Sequence, residues 1–154
     1  MDEPKKYYLL ASKIFFSTEE YEITTILGSC VSVCLWDSKL KFGGMTHYLL
    51  PKCKVNCKSD MTYGNTAIPM LLDLMLKNNS SLQNIKARIY GGAQMFNTYL
   101  ETSIGEQNIN IALKILNELK IDIIDKDTGD KFGRKIIFNN VKNFLTLKKL
   151  NTLS

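Results

Sequence analysis

Four extended stretches crowd the first fifty residues, and this run of strand-forming sequence limits the fold more than any other feature. Residues 7–11 are apolar, and residues 21–27 (YEITTIL) are rich in β-branched side chains. Residues 31–36 (VSVCLW) end at Asp37-Ser38, and residues 42–50 stop at Pro51. Branched and aromatic side chains fit a pleated surface, whereas Gly, Pro, Asn, Asp and Ser punctuate it. An all-helical fold is therefore excluded. The polar segment 51–62, with its lysines and two cysteines, reads as a surface loop.

The pattern then changes period. From Asn65 or Thr66 to about Lys77, Leu71, Leu72, Met75 and Leu76 recur at helical spacing, with a cap oxygen from Asn or Thr, Pro69 in the early turns and Asn78-Asn79 as a stop. Residues 85–90 read as a strand running into Gly91-Gly92. A second helix is predicted over 106–120, its buried stripe being Ile109, Ala112, Leu113, Leu116 and Leu119. The tail is extended again at 121–124, 135–138 and 141–147, with a turn near Asn139-Asn140. Strands and helices alternate too irregularly for a doubly wound sheet. The expected fold is α+β: one domain over residues 1–154, with a mixed sheet or β-sandwich core and two main helices packed outside it.

Charge and hydropathy exclude several function classes. The net charge is +5, from 20 basic and 15 acidic residues, which favours acidic partners through long-range steering. The lysines are scattered and no stacking-aromatic pattern accompanies them, so no nucleic-acid partner is expected. The longest mostly apolar stretch, 68–76, is broken by Pro69 and Asp73 and falls far short of the ~20 residues that cross a bilayer, so no membrane insertion is expected. The N-terminus carries no signal-peptide pattern, and a cytoplasmic location is the expectation. Cys30, Cys34, Cys53 and Cys57 are then expected as thiols.

The chemistry concentrates around one cysteine. Gly28 and Ser29 break a strand just before Cys30, which exposes a thiol and frees backbone N–H groups for an oxyanion. A reactive thiol needs a base, and His47 is the single histidine of the chain. The interval between them accommodates a strand, a turn and an antiparallel neighbour. Taken singly, each piece has a bland reading. Free cysteine is commonly a small core residue, a lone histidine is commonly structural, and Gly43-Gly44 can simply mark a turn.

Taken together the pieces form a pattern. LGSCVSVCLWD at 27–37 and GGMTHYLLP at 43–51 resemble the two signature blocks of the CheD family, chemoreceptor glutamine deamidases of bacterial chemotaxis. The likeness continues through YGNTAIPMLLDLM at 63–75, YGGAQMF at 90–96, IGEQNI at 104–109 and DTGDKFGRKIIF at 127–138. The resemblance implies Cys30 as nucleophile, His47 as base and Thr24 as the third polar group that fixes the imidazole, with adjacent Thr25 left open as the alternative. Gly28 and Ser29 form the turn at the oxyanion. Cys34 is implied to pack. The implied substrate is the cytoplasmic helical bundle of a methyl-accepting receptor, and no metal or organic cofactor is called for. A glutamate methyl ester offers a similar carbonyl, so methylesterase activity is a further expectation. A CheC-type phosphatase is the implied protein partner.

Two rival functions draw on the same residues. The first is a zinc module built from Cys30, Cys34, Cys53 and Cys57; it is disfavoured because residues four apart on a strand lie about 13 Å apart. The second is a non-catalytic regulator of a CheC-type phosphatase, against which the presence of both Cys30 and His47 argues. The family pattern has no counterpart for the Cys53/Cys57 loop, and Gly129-Asp130 stands where a glycine pair is more usual.

Overall fold

The computed structural model describes residues 3–94 and 102–151. In chain order the elements are β1 (Lys5–Tyr8), β2 (Lys13–Ser17), β3 (Tyr21–Leu27), β4 (Val31–Asp37), β5 (Phe42–His47), α1 (Gly64–Lys77), β6 (Ile85–Gly91), α2 (Ile104–Glu118), β7 (Asp122–Thr128), β8 (Gly133–Asn139) and β9 (Phe144–Leu150). The strands form two sheets, one in the order β1-β3-β8-β9 and the other β2-β5-β4-β6-β7. Both sheets are mixed: β1 runs parallel to β3 and β7 parallel to β6, and every other pairing is antiparallel. This is the α+β sandwich with two helices that the sequence leads one to expect.

Side-chain alternation along β4 explains the layering. Val31, Val33 and Leu35 join Ile68, Leu71 and Leu116 in a core between the five-stranded sheet and the helices. Cys34 and Trp36, with opposite parity, join Ile23, Leu27 and Phe138 in a second core between the sheets. The five-stranded sheet is thus covered on both faces, which is why β4 and β5 are buried almost throughout. Burying each large apolar side chain there contributes about 1.5–3 kcal/mol. Strand β9 alternates exposed and half-buried positions, as expected of an edge with one face in water.

Several boundaries differ from the sequence reading, each for a local reason. The apolar stretch 7–11 does not form one strand. Strand β1 ends at Tyr8, and Ser12 takes a φ of 65° before an additional strand, β2, that the reading omitted. Helix α1 begins at Gly64, with Tyr63 at its N-cap and no side-chain cap bond. Asn65, expected to cap, instead accepts a hydrogen bond from the backbone N–H of Cys53 at 3.0 Å. Gly43 and Gly44 lie within β5 rather than in a turn, because a Cβ at either would strike the backbone of Leu35 or Phe15 on the neighbouring strands. The turn after β7 keeps its shape without a glycine pair, since Asp130 adopts a φ of 59° beside Gly129 at 82°.

The cysteines depart from expectation as well. Cys30 and Cys34 are free, but Cys53 and Cys57 form a disulfide with their Cα atoms 6.0 Å apart. Asn56, at a φ of 47°, turns the chain between them. Part of one quoted motif, Met95-Phe96, lies outside the described residues. Among the described residues no helix is long and apolar enough to cross a membrane, and no cluster of metal-ligating side chains occurs.

Candidate active site

The register of β4 and β5 fixes where Cys30 and His47 stand. Cys34 pairs with Met45, and an isolated bridge pairs Val31 with Tyr48. Continued through that bridge, the same register sets His47 opposite Ser32, and Cys30 one diagonal step away on the same face. Diagonal neighbours in an antiparallel pair lie within roughly 7–8 Å of one another, within reach of longer side chains. That face looks into the space between the sheets, where Cys30 packs with Cys34 and Met45. His47 is only 5% exposed, and Cys30 is half-buried at the end of the strand.

The third group comes from the opposite sheet. The hydroxyl of Thr25 sits 2.7 Å from Nδ1 of His47 and donates its own proton to the carbonyl of Leu9 at 2.7 Å. Its single proton being committed, Thr25 must accept from His47, so Nδ1 carries the hydrogen and Nε2 keeps a free lone pair. Thr24, named first on sequence grounds, occupies the other face of β3 by simple alternation, while Ile23, Thr25 and Leu27 point inward. The structure therefore brings Thr25, and not Thr24, to the imidazole. A one-residue offset on a strand turns a side chain through the sheet.

The turn that holds Cys30 has its carbonyls occupied. Gly28 accepts from the N–H of Ala93 at 3.0 Å, Ser29 from the side-chain amide of Asn108 at 3.0 Å, and Cys30 from the N–H of Gly92 at 2.8 Å. The N–H groups of Ser29 and Cys30 have no partner among the described residues, and that of Cys30 lies against its own sulfur. Such a donor would be available to an oxygen on any carbon bonded to that sulfur. Gly91, at a φ of 107°, permits the close approach: a Cβ there would lie 2.2 Å from the Cys30 carbonyl.

Electrostatics set the resting protonation. Burial pushes His47 down to about 4, with the Leu9 carbonyl pulling the other way. Burial likewise raises Cys30, against the lowering effect of its own N–H. At neutral pH the pair is thus a thiol and a neutral imidazole, not an ion pair. The sequence reading missed two contributors: the Leu9 carbonyl, which bears no side-chain signal, and Asn108, which lay unremarked inside the IGEQNI block.

Residues 49–149 match the family model described as CheD chemotactic sensory transduction. A protein of Trichlorobacter lovleyi, named a probable chemoreceptor glutamine deamidase CheD, is 38% identical over 144 residues, 93% of this chain and 89% of that protein. One of the same name from Sulfurimonas denitrificans is 38% identical over 148 residues, 95% of each chain. A third, from Clostridium novyi, is 38% identical over 131 residues, 82% of this chain and 81% of that protein. The family match begins just past His47, but an alignment over 95% of the chain leaves too few residues outside it to omit either Cys30 or His47.

Proposed function

Because the chain belongs to the CheD family, we propose that it hydrolyses glutamine side-chain amides on chemoreceptors, with Cys30 as nucleophile, His47 as base and Thr25 orienting the imidazole. The observation that carries this reading is the Thr25–His47 hydrogen bond, which leaves Nε2 basic on the face that Cys30 shares. The net charge of +5 suits an acidic helical bundle as substrate. The cytoplasmic part of such receptors as substrate implies a cytoplasmic enzyme.

The chemistry follows from the neutral resting pair. As the sulfur of Cys30 attacks the carboxamide carbon, its proton passes to Nε2 of His47, and the C=O electron pair moves to oxygen. The N–H groups of Ser29 and Cys30, unpartnered among the described residues, stabilise that oxyanion; one such donor is worth about 3–4 kcal/mol. The imidazolium then gives its proton to the amide nitrogen, the C–N bond breaks, ammonia leaves and a thioester remains. A water molecule loses a proton to His47, attacks the thioester and releases glutamate, while Cys30 recovers its proton. A glutamate methyl ester would follow the same course with methanol as leaving group.

The deciding experiment incubates a folded receptor cytoplasmic fragment with wild-type protein and with Cys30→Ala, then maps peptide masses. Amide-to-acid conversion of specific glutamines by the wild type alone upholds the reading, and unchanged peptides in both samples reject it. Cys30→Ala also isolates any docking to a CheC-type phosphatase, since a binding-only role would survive the substitution intact.

A further inference from the structure

We infer that Asn108 is a positioning residue for the reaction proposed above, its side-chain amide serving as the last rung between the strand of the nucleophile and the strand of the base. The backbone ladder of β4 and β5 ends at Val31 and Tyr48, which exchange two hydrogen bonds of 3.1 Å. Just beyond that pair, the carbonyls of Ser29 and Leu49 have no strand N–H to meet them. Asn108 supplies both donors, Nδ2 lying 3.0 Å from the Ser29 oxygen and 2.8 Å from the Leu49 oxygen. Since both neighbours are acceptors, the nitrogen must occupy this position, whichever way the amide is otherwise turned.

Two further features mark the contact as more than packing. Asn108 is wholly buried, and its Oδ1 has no hydrogen-bond partner among the described residues, a cost that a plain core position would shed by carrying an apolar side chain. Its backbone carbonyl accepts from the Tyr48 hydroxyl at 2.6 Å, so helix α2 is tied to the residue that follows the base. Ser29 precedes the nucleophile, and Leu49 follows His47 by two residues. Asn108 therefore fixes the separation of Cys30 and His47 without touching either. A misplacement of about 1 Å between reacting groups costs on the order of 10²-fold in rate.

The test uses the full chain as wild type, Asn108→Ala, Asn108→Asp and Leu116→Ala. Leu116 is buried on the same helix about two turns away, so its truncation controls for a general loss of stability. The aspartate is nearly isosteric but offers no donor to either carbonyl. Both Asn108 variants should lower kcat on the receptor fragment at least about tenfold, with KM within about twofold. The rate of Cys30 alkylation by iodoacetamide against pH should also shift to a lower midpoint in both, because a loosened turn exposes the thiol. Leu116→Ala should leave kcat and that midpoint unchanged at a comparable loss of melting temperature. Wild-type kcat in Asn108→Ala, or equal kcat losses in Leu116→Ala, would overturn the assignment. Should the wild type deamidate no receptor, the proposed function fails, and the alkylation profile alone still decides the role of Asn108. If neither Asn108 variant folds, hydrogen exchange of the Asn108 side-chain amide in the ¹⁵N-labelled wild type decides: protection upholds the rung and rapid exchange refutes it.

Discussion

The chain contains two Cys-x3-Cys segments, and the same spacing leads to opposite chemistry. Cys30 and Cys34 lie along an extended backbone, which separates residues four apart by about 13 Å and turns both to one face. Cys53 and Cys57 lie in a loop folded back at Asn56, with their Cα atoms 6.0 Å apart and their sulfurs joined. Spacing alone therefore says little; the local backbone decides whether two sulfurs can meet. In the strand it separates them further, by environment as well as by distance. Cys34 is fully buried and pushed far above the usual thiol range, whereas Cys30 stands half-buried at the strand end, beside N–H groups that have no partner among the described residues.

The sharpest way to break this comparison is to substitute the two strand cysteines in turn. Cys30→Ala should abolish deamidation, a loss on the order of 10⁴–10⁶-fold as for other nucleophile deletions. Cys34→Ala should retain kcat within about twofold and lose about 1 kcal/mol of stability, measured by urea unfolding. Activity lost in Cys34→Ala at unchanged stability would mean the strand does not separate the two roles.

The next largest effect distinguishes the adjacent threonines. Thr25→Val keeps the shape but removes the acceptor that fixes the tautomer of His47, so kcat should fall about 10²-fold. Thr25→Ser should restore most of it. Thr24→Val, on the outer face of β3, should stay within about twofold of wild type. Receptor-fragment kinetics on the three variants decides between them.

Acid titration gives the third measure. His47 is held near 4 when folded and titrates near its ordinary 6.5 when unfolded. Between those values the unfolded chain binds more protons, so stability rises with pH, is fully present above about 6.5 and is lost as the pH falls toward 4. The swing is about 3 kcal/mol. His47→Gln should flatten this part of the stability-against-pH curve, leaving only the carboxylates that both proteins share. An unchanged slope would mean that His47 is not held neutral by burial.

How much of this was legible in the sequence depended on which side chains carried a signal. The strand–turn–strand around Cys30 could be read because Gly28-Ser29 interrupts a branched run, and the helices because their apolar stripes repeat. The identity of the third polar group could not. Two adjacent threonines are equivalent in composition, and only the packing of one sheet on the other shows which of them faces the interior. Strand β2 escaped because its short run, KIFFS, follows the turn at Ser12 that no glycine or proline announces. The Leu9 carbonyl and the two bonds of Asn108 arise from tertiary contacts between distant segments, which no local pattern encodes.

The smallest effect belongs to the loop cysteines, and it tests whether the loop is independent of the site. A link closing so short a loop removes little unfolded-chain entropy, worth about 2 kcal/mol at most. The loop is also anchored by backbone bonds that do not involve sulfur. Leu49 and Leu50 donate to the Thr62 carbonyl at 2.8 and 3.0 Å, and the Cys53 N–H reaches the Asn65 side chain. These anchors lie at its ends, next to the residues that follow His47, so the site should keep its shape when the sulfurs are removed. The double variant Cys53→Ser/Cys57→Ser should therefore lose no more than about 2 kcal/mol in urea unfolding and keep kcat within about twofold. A tenfold loss at unchanged stability would show that the bonded loop contacts the substrate, joining the two cysteine segments in one function despite their opposite backbones.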